Sequence, residues 1–208
     1  MRRLIEGTGK NSPEEYDQVF LKRQENDPDD FDVKRWRQLL YYYRGGKLID
    51  LGCLDSLVPS IAHHWYPKSE IWGIDLAKEA LKQMKEKFPF VYYQEMDVYK
   101  TDFPNNYFDY AVAGEIIEHL EDPEKFIKEA FRILKVDGML ALSTPLKELL
   151  GGVDQYRHLW SFELEDIRKL LSPYGKVKIY TLGSQFFPWY RYSHDIILAY
   201  MVKKQHVI

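Results

Sequence analysis

Beyond Lys47 the apolar positions switch repeatedly between two patterns, short near-continuous apolar runs and longer stretches with apolar residues three and four apart. The short runs at 47–51, 70–75, 90–96, 107–113 and 138–143 predict strands. Between them, residues 56–66, 77–88 and 124–134 predict helices. The last is introduced by Asp122-Pro123, a good helix start, and Gly138 opens the strand that follows. Strand and helix in alternation imply a parallel sheet covered on both faces. The end of the chain departs from that rule. A helix at 162–171 stops before Ser172-Pro173, and 176–181 and 194–203 then read as two strands with no helix between them. Two successive strands make an antiparallel hairpin at the edge of an otherwise parallel sheet.

The first 44 residues are different in character, polar and aromatic, with Asn26-Asp27-Pro28-Asp29-Asp30 breaking two helix-like pieces. The second piece spaces Phe31, Arg35, Leu39 and Tyr42-Tyr43 at helical intervals. The expected organisation is therefore an N-terminal helical cap over 1–44 packed across a main body over 45–208.

Size and composition narrow the class. A chain of 208 residues suits one globular unit, and 45% hydrophobic with 29% charged residues is ordinary for a soluble protein. A net charge of −3 gives no argument for a nucleic-acid or membrane surface, and no apolar run approaches the roughly 20 residues that span a bilayer. The 16 tyrosines suit a partly polar cavity, although filling a core is their commoner use. One cysteine excludes an intramolecular disulfide and is compatible with a reducing compartment. The start of the chain is too short and polar for a secretory signal. The expectation is a cytoplasmic protein with a small-molecule partner; nothing here indicates its oligomeric state.

The stretch K-L-I-D-L-G-C-L-D-S at 47–56 carries the first chemical signal. A strand turning sharply into a helix offers backbone N–H groups and a positive helix end to a ligand, and glycine permits close approach. Only Gly52 is present; Leu54, Asp55 and Ser56 fill the rest of the turn. Three acids fall at strand ends, namely Asp50, Asp75 and Asp97. A carboxylate at the position of Asp75 can accept from both hydroxyls of a ribose. The same oxygens could cap the helix that follows Leu76-Ala77.

Here the chain resembles a family. D-L-G-C at 50–53, G-I-D-L at 73–76, M-D-V at 96–98, F-D-Y-A-V-A-G-E-I-I-E-H-L-E-D-P at 108–123 and I-L-K-V-D-G-M-L-A-L-S-T-P at 133–145 resemble the ordered motifs of class I S-adenosylmethionine-dependent methyltransferases. The resemblance covers about 45–200 and implies an α/β, Rossmann-like three-layer sandwich, its seven-stranded, mostly parallel sheet carrying an antiparallel C-terminal hairpin strand. It also implies roles. Gly52 and Cys53, beside Asp50, would border the methionine moiety; Asp75, with Leu76 after it, would hold the ribose; Asp97 and Val98 would face the adenine. Gly114 and Glu115 would line the floor near the sulfonium. Family members usually carry glycines at 54 and 56, so Leu54 and Ser56 are departures. Leu resists positive φ and would intrude where backbone meets ligand, so either the loop takes another path or the site has lost its chemistry.

A second signal follows the fourth strand, where Glu115-x-x-Glu118-His119 is joined by His158 in Q-Y-R-H-L-W-S-F. If 115–120 is helical, Glu115, Glu118 and His119 share a face. Together with His158 they could hold a divalent cation such as Mg²⁺, lowering the pKa of a substrate hydroxyl. This pairing resembles the small-RNA terminal 2′-O-methyltransferases and the ubiquinone-pathway O-methyltransferases, in which comparable residues are metal ligands. Unassisted catalysis, with His119 or His158 as general base and Glu115 nearby, is the competing reading. The Asn-Pro-Pro-Tyr type of signature for amino-group methylation of bases or glutamine is absent after the fourth strand, which favours oxygen or carbon. Aromatics at 41–43, 146–160 and 186–190 would cover a sugar or ring-bearing metabolite, or simply anchor loops. Three functions are in play: a small-molecule O-methyltransferase, a non-catalytic binding or regulatory protein with a decayed cofactor turn, and, less well matched, an NAD-dependent dehydrogenase, whose fingerprint needs the missing glycines.

Overall fold

The structure is a computed structural model, described here over residues 1–3, 12–23, 30–147, 158–183 and 195–204. The sheet begins with β2 (Lys47–Leu51), an interior strand four of whose five residues are buried. A strand buried on both faces must be apolar nearly throughout, which is why 47–51 lacks simple alternation. After α3 (Val58–Trp65), β3 (Glu70–Asp75) pairs parallel to β2; after α4 (Lys78–Lys87), β4 (Tyr92–Glu95) pairs parallel to β3. The chain then crosses to the other side of β2 with β5 (Phe108–Gly114), followed by α5 (Pro123–Ile133) and β6 (Leu134–Pro145), also parallel. After α6 (Leu164–Leu171), β8 (Val177–Leu182) forms the edge, and β9 (Ile196–Val202) inserts antiparallel between β6 and β8. The sheet order β4-β3-β2-β5-β6-β9-β8 is the expected seven-stranded α/β sandwich, and only β9 runs against the rest. Because the order reverses between β2 and β5, loops leave these two neighbouring strands in opposite directions and open a crevice at their carboxyl ends.

Alternate strand residues feed two cores. Ile49, Leu51, Ala111, Ala113, Leu140 and Leu142 pack against Phe126, Ile127 and Phe131 of α5 and Ile167 and Leu171 of α6. Leu48, Tyr110, Val112, Ala141 and Leu198 pack against α3, α4 and the helix α2 (Asp30–Leu39), which contributes Trp36 and Leu39. Burying side chains of this size contributes about 1.5–3 kcal/mol each. By this packing α2 lies in the same apolar layer as α3 and α4, while α1 (Pro13–Arg23) sits elsewhere. Tyr43 is a correction to the expected substrate cover. It is 1% exposed, donates to Gly46 O just before β2, and packs edge-on to Tyr66 and Tyr110. That places it near the amino ends of the strands, remote from the crevice.

Other boundaries moved for local reasons. β4 is shorter than the apolar run at 90–96, because Val91 N closes a turn onto Phe88 O and Asp97 begins the next turn. β6 starts at Leu134 directly from α5, and Asp137 at φ +63 kinks it before Gly138. A two-stranded pairing of β1 (Arg2–Arg3) with β7 (Trp160–Ser161) had no apolar signal. No helix among the described residues is long and apolar enough to cross a membrane.

Candidate active site

The turn after β2 is pinned by its neighbour. Gly52 N and Cys53 N both donate to Ile74 O, at 2.9 and 3.0 Å. Gly52 adopts φ +72, and a Cβ there would stand 2.2 Å from Ile116 Cδ1. Leu54 is left-handed as well, at φ +35, and its N–H donates to Asp75 Oδ2 at 2.9 Å. The backbone therefore takes at residue 54 a conformation that glycine favours, at a strain of roughly 1–2 kcal/mol for a side-chain-bearing residue. The expected intrusion into the turn does not occur, because Leu54 packs against the buried cluster of Phe20, Ala77 and Ala80. Ser56 Oγ accepts from Val58 N at 3.1 Å, serving the start of α3 where glycine could not.

The strand-end acids are not equivalent. Asp75 accepts through Oδ1 from Leu76 N and Ala77 N at 2.7 and 3.0 Å, and through Oδ2 from Leu54 N. Burial pushes its carboxyl up while these N–H groups hold it down. Asp50 is 2% exposed, and its Oδ2 has no partner among the described residues. Burial, with the nearby Asp75 carboxylate, pushes its pKa up to about 7, against the pull of Ser56 and the Arg35 guanidinium. Asp97 is exposed and accepts from Tyr99 N at 2.8 Å, while Val98 is buried in the core beside it. Cys53 is buried and its thiol is pushed up by that burial, so it is a packing residue rather than a nucleophile. Leu76 is partly open to solvent, at 38% exposure.

On the β5 side the expected helix over 115–120 is absent. Glu115 takes φ +53 directly after Gly114, and only Ile117–His119 form a single 3-10 turn. One left-handed residue breaks the face-sharing of positions three and four apart, so Glu115 leaves the proposed ligand set. Its Oε1 instead accepts from Ser143 Oγ at 2.8 Å and lies 3.4 Å from Arg35 Nη1. Arg35 also donates to Asp32 at 2.6 Å and is only 7% exposed. Burial works against its charge, but Glu115, Asp32 and Glu118 together raise its pKa.

Glu118, His119 and His158 do come together, with one ligating atom of each within 4.8 Å of the others. Leu159 N donates to Glu118 O at 2.7 Å, which fixes His158 beside the 3-10 turn. The two imidazoles meet edge-on, with centroids 4.6 Å apart. Glu118 is 1% exposed; its Oε2 accepts from Thr144 Oγ1 at 3.0 Å and its Oε1 has no partner among the described residues. Burial and the neighbouring Glu115 push its pKa up to about 8, opposed by His158.

Sequence reasoning missed the polar partners. Arg35 read as one position of a helical stripe, and Ser143 and Thr144 as part of a strand-end motif without roles. The aromatics at 186–190, and all but the ends of 146–160, lie outside the described residues.

Comparison with known proteins agrees with this architecture. Residues 49–142 match the family model described as Methyltransferase domain. The ubiquinone/menaquinone biosynthesis C-methyltransferase of Desulfotalea psychrophila is 25% identical over 132 residues, covering 59% of this chain and 54% of that relative. The chain thus spans about half or less of the curated relatives it matches first. Among solved structures, a chain from the complex between the Haloferax volcanii Trm112 methyltransferase activator and a methyltransferase superposes with a TM-score of 0.77 at 14% identity, over 94% of this chain and 99% of that one. Haemonchus contortus phosphoethanolamine N-methyltransferase 2, in complex with phosphomonomethylethanolamine and S-adenosylhomocysteine, gives a TM-score of 0.72 at 16% identity, over 92% of this chain and 58% of that one. At these identities the two structural likenesses are likenesses of fold. Over residues 49–142 the chain is similar to the Methyltransferase domain family, and its seven-stranded sheet has the Rossmann-like architecture of class I S-adenosylmethionine-dependent methyltransferases.

Proposed function

We propose that the protein is an S-adenosylmethionine-dependent methyltransferase acting on a hydroxyl of a small molecule. The observation that carries this reading is the β2 turn, which keeps left-handed backbone at both Gly52 and Leu54 and leaves the buried Asp50 Oδ2 without a partner among the described residues. A decayed turn has no reason to retain that strain. Asp50 and the turn at Gly52 and Cys53 would receive the amino-acid end of the cofactor, Asp75 and Leu76 the ribose, Asp97 and Val98 the adenine, and Gly114 the sulfonium side. When bound, the cofactor supplies a methyl group already activated by a sulfonium, so alignment provides most of the acceleration. The acceptor oxygen needs only to lose its proton as the new carbon–oxygen bond forms. His119 or His158 would take it, with Glu118 orienting the imidazole pair, while Arg35 neutralises Glu115. A curated relative named for carbon methylation and a structure of similar fold named for nitrogen methylation leave the acceptor atom open. Oxygen is favoured because this cluster offers a base, and because Gly114-Glu115-Ile116-Ile117 stands where the signature for amino-group methylation of bases or glutamine would lie.

Calorimetric titration with S-adenosylmethionine tests the reading, and its pH dependence tests Asp50. Asp50 holds a proton up to about pH 7, whereas a cationic ammonium favours the ionised carboxylate. Affinity should therefore rise nearly tenfold from pH 6 to pH 7.5, with proton release on binding at the lower pH, and Asp50→Asn should flatten the profile. Absence of binding at either pH sinks the enzyme reading; a flat wild-type profile sinks the role of Asp50.

The acceptor cluster also fits a metal, though not the one expected. Two imidazoles and one carboxylate suit a first-row transition ion, whereas Mg²⁺ prefers an all-oxygen octahedron. The unpartnered Glu118 Oε1 is the donor such an ion would take, and the ion would polarise the acceptor hydroxyl. Mn²⁺ titrated into the chain should bind one to one, at least tenfold more weakly in Glu118→Ala and unchanged in Glu115→Ala. Equal loss in both variants would restore the four-residue set, and no binding by the wild type would leave the histidines as the only base.

A further inference from the structure

Helix α1 reaches three parts of the crevice at once. Phe20 is fully buried with Ala77 and Ala80, and Tyr16 and Leu54 pack against that group. Asp17 Oδ1 accepts from Glu79 N at 2.9 Å and Ala80 N at 3.4 Å. It thereby satisfies the first turn of α4, where the N-cap residue Ala77 has no side chain able to do so. At the other end of this contact, the Tyr16 ring meets His119 edge-on with centroids 5.9 Å apart. One helix therefore touches the turn after β2, the start of α4 after β3, and the histidine cluster after β5.

We propose that Leu54 is the seat of α1: a positioning residue that holds the helix across the cofactor turn, brings Tyr16 to the wall of the acceptor pocket, and so sets how long the cofactor is retained. The cofactor part of this inference rests on the proposed function; the docking part does not. Two properties of residue 54 pull in opposite directions here. A glycine would adopt φ +35 without strain and leave the turn relaxed. It would also remove the side chain that packs against the Phe20 group, leaving a gap beneath α1. If the turn acts alone, restoring glycine tightens cofactor binding. If Leu54 seats the helix, glycine loosens it.

The test compares the full wild-type chain with Leu54→Gly, Leu54→Met and Phe20→Ala. Amide hydrogen exchange is followed over 13–20 and over β2 and β5, and the dissociation rate of S-adenosylhomocysteine is measured in parallel. In Leu54→Gly and Phe20→Ala, exchange over 13–20 should quicken at least tenfold while β2 and β5 stay protected, and S-adenosylhomocysteine should leave at least tenfold faster. Leu54→Met, which refills the seat, should restore both readouts to within about twofold of wild type. Unchanged exchange in Leu54→Gly would overturn the seat. Faster exchange with unchanged or slower ligand release would overturn the link to cofactor retention. Failure of every variant, wild type included, to bind the ligand defeats the enzyme reading and the retention claim together, while exchange by itself still decides whether Leu54 docks α1.

Discussion

Replacing Asp75 by Asn is expected to weaken S-adenosylmethionine binding on the order of 100-fold, because two charge-assisted hydrogen bonds to ribose hydroxyls at about 1.5 kcal/mol each amount to two decades of affinity. The native carboxylate is an acceptor on both oxygens, closing the β2 turn through Leu54 N and meeting Leu76 N and Ala77 N at the entry to α4. An amide cannot reproduce this. Whichever way it is flipped, its NH₂ faces a backbone N–H, so either the turn or the entry to α4 loses its acceptor. Calorimetry should show the loss, with the chain still folded by circular dichroism. An analogue of S-adenosylhomocysteine lacking the ribose 2′-hydroxyl separates direct contact from turn collapse. It should bind about tenfold more weakly to the wild type and lose only about a further tenfold in Asp75→Asn, the share of the remaining hydroxyl. Full-strength binding of S-adenosylmethionine to the variant would refute the ribose role.

Arg35→Leu should be the most destabilising single change at the site. The guanidinium is buried between Asp32 at 2.6 Å and Glu115 at 3.4 Å, with Glu118 adding to the field that holds its charge. Removing one partner of a buried ionic group leaves uncompensated charge and costs about 3–5 kcal/mol. For a chain of this size, the lower end of that range lowers the thermal midpoint by about 6–12 °C. Arg35→Lys should lose less, because it keeps the charge but not the fork that serves both acids. Adding Glu115→Gln to Arg35→Leu should recover part of the loss, since the stranded carboxylate is then neutral. A midpoint within 2 °C of wild type for Arg35→Leu would mean that the acids do not depend on this cation.

Legibility of the sequence varied with the range of the interaction involved. β2 and β3 matched their expected bounds to the residue, because each is a short run of mainly apolar residues in the sheet interior, closed by polar and turn-forming residues that mark where it stops. The β8–β9 hairpin followed from two strand patterns in succession. The 115–120 segment failed for a definable reason. Its spacing is helical, but Glu115 at φ +53 starts a turn, and spacing assigns a shared face only where backbone is regular. Leu54 looked like damage to a ligand turn for a similar reason. Its φ and the direction of its side chain are separate properties, and only the first bears on the turn.

What the sequence by itself determined is the order of strands and helices, a mostly parallel α/β sheet with an antiparallel hairpin at its edge, and the placing of Asp50 and Asp75 at the ends of successive strands. These follow from periodicity and from strand ends, which are local. What only the tertiary structure decided is the partner of each polar group and the destination of each odd side chain. Arg35 meets Glu115, His158 meets His119, Asp17 serves the start of α4, and Leu54 joins the cluster of Phe20, Ala77 and Ala80. Each joins segments far apart in the chain, where the packing of whole elements sets which atoms approach within a few ångströms and no local pattern records the result.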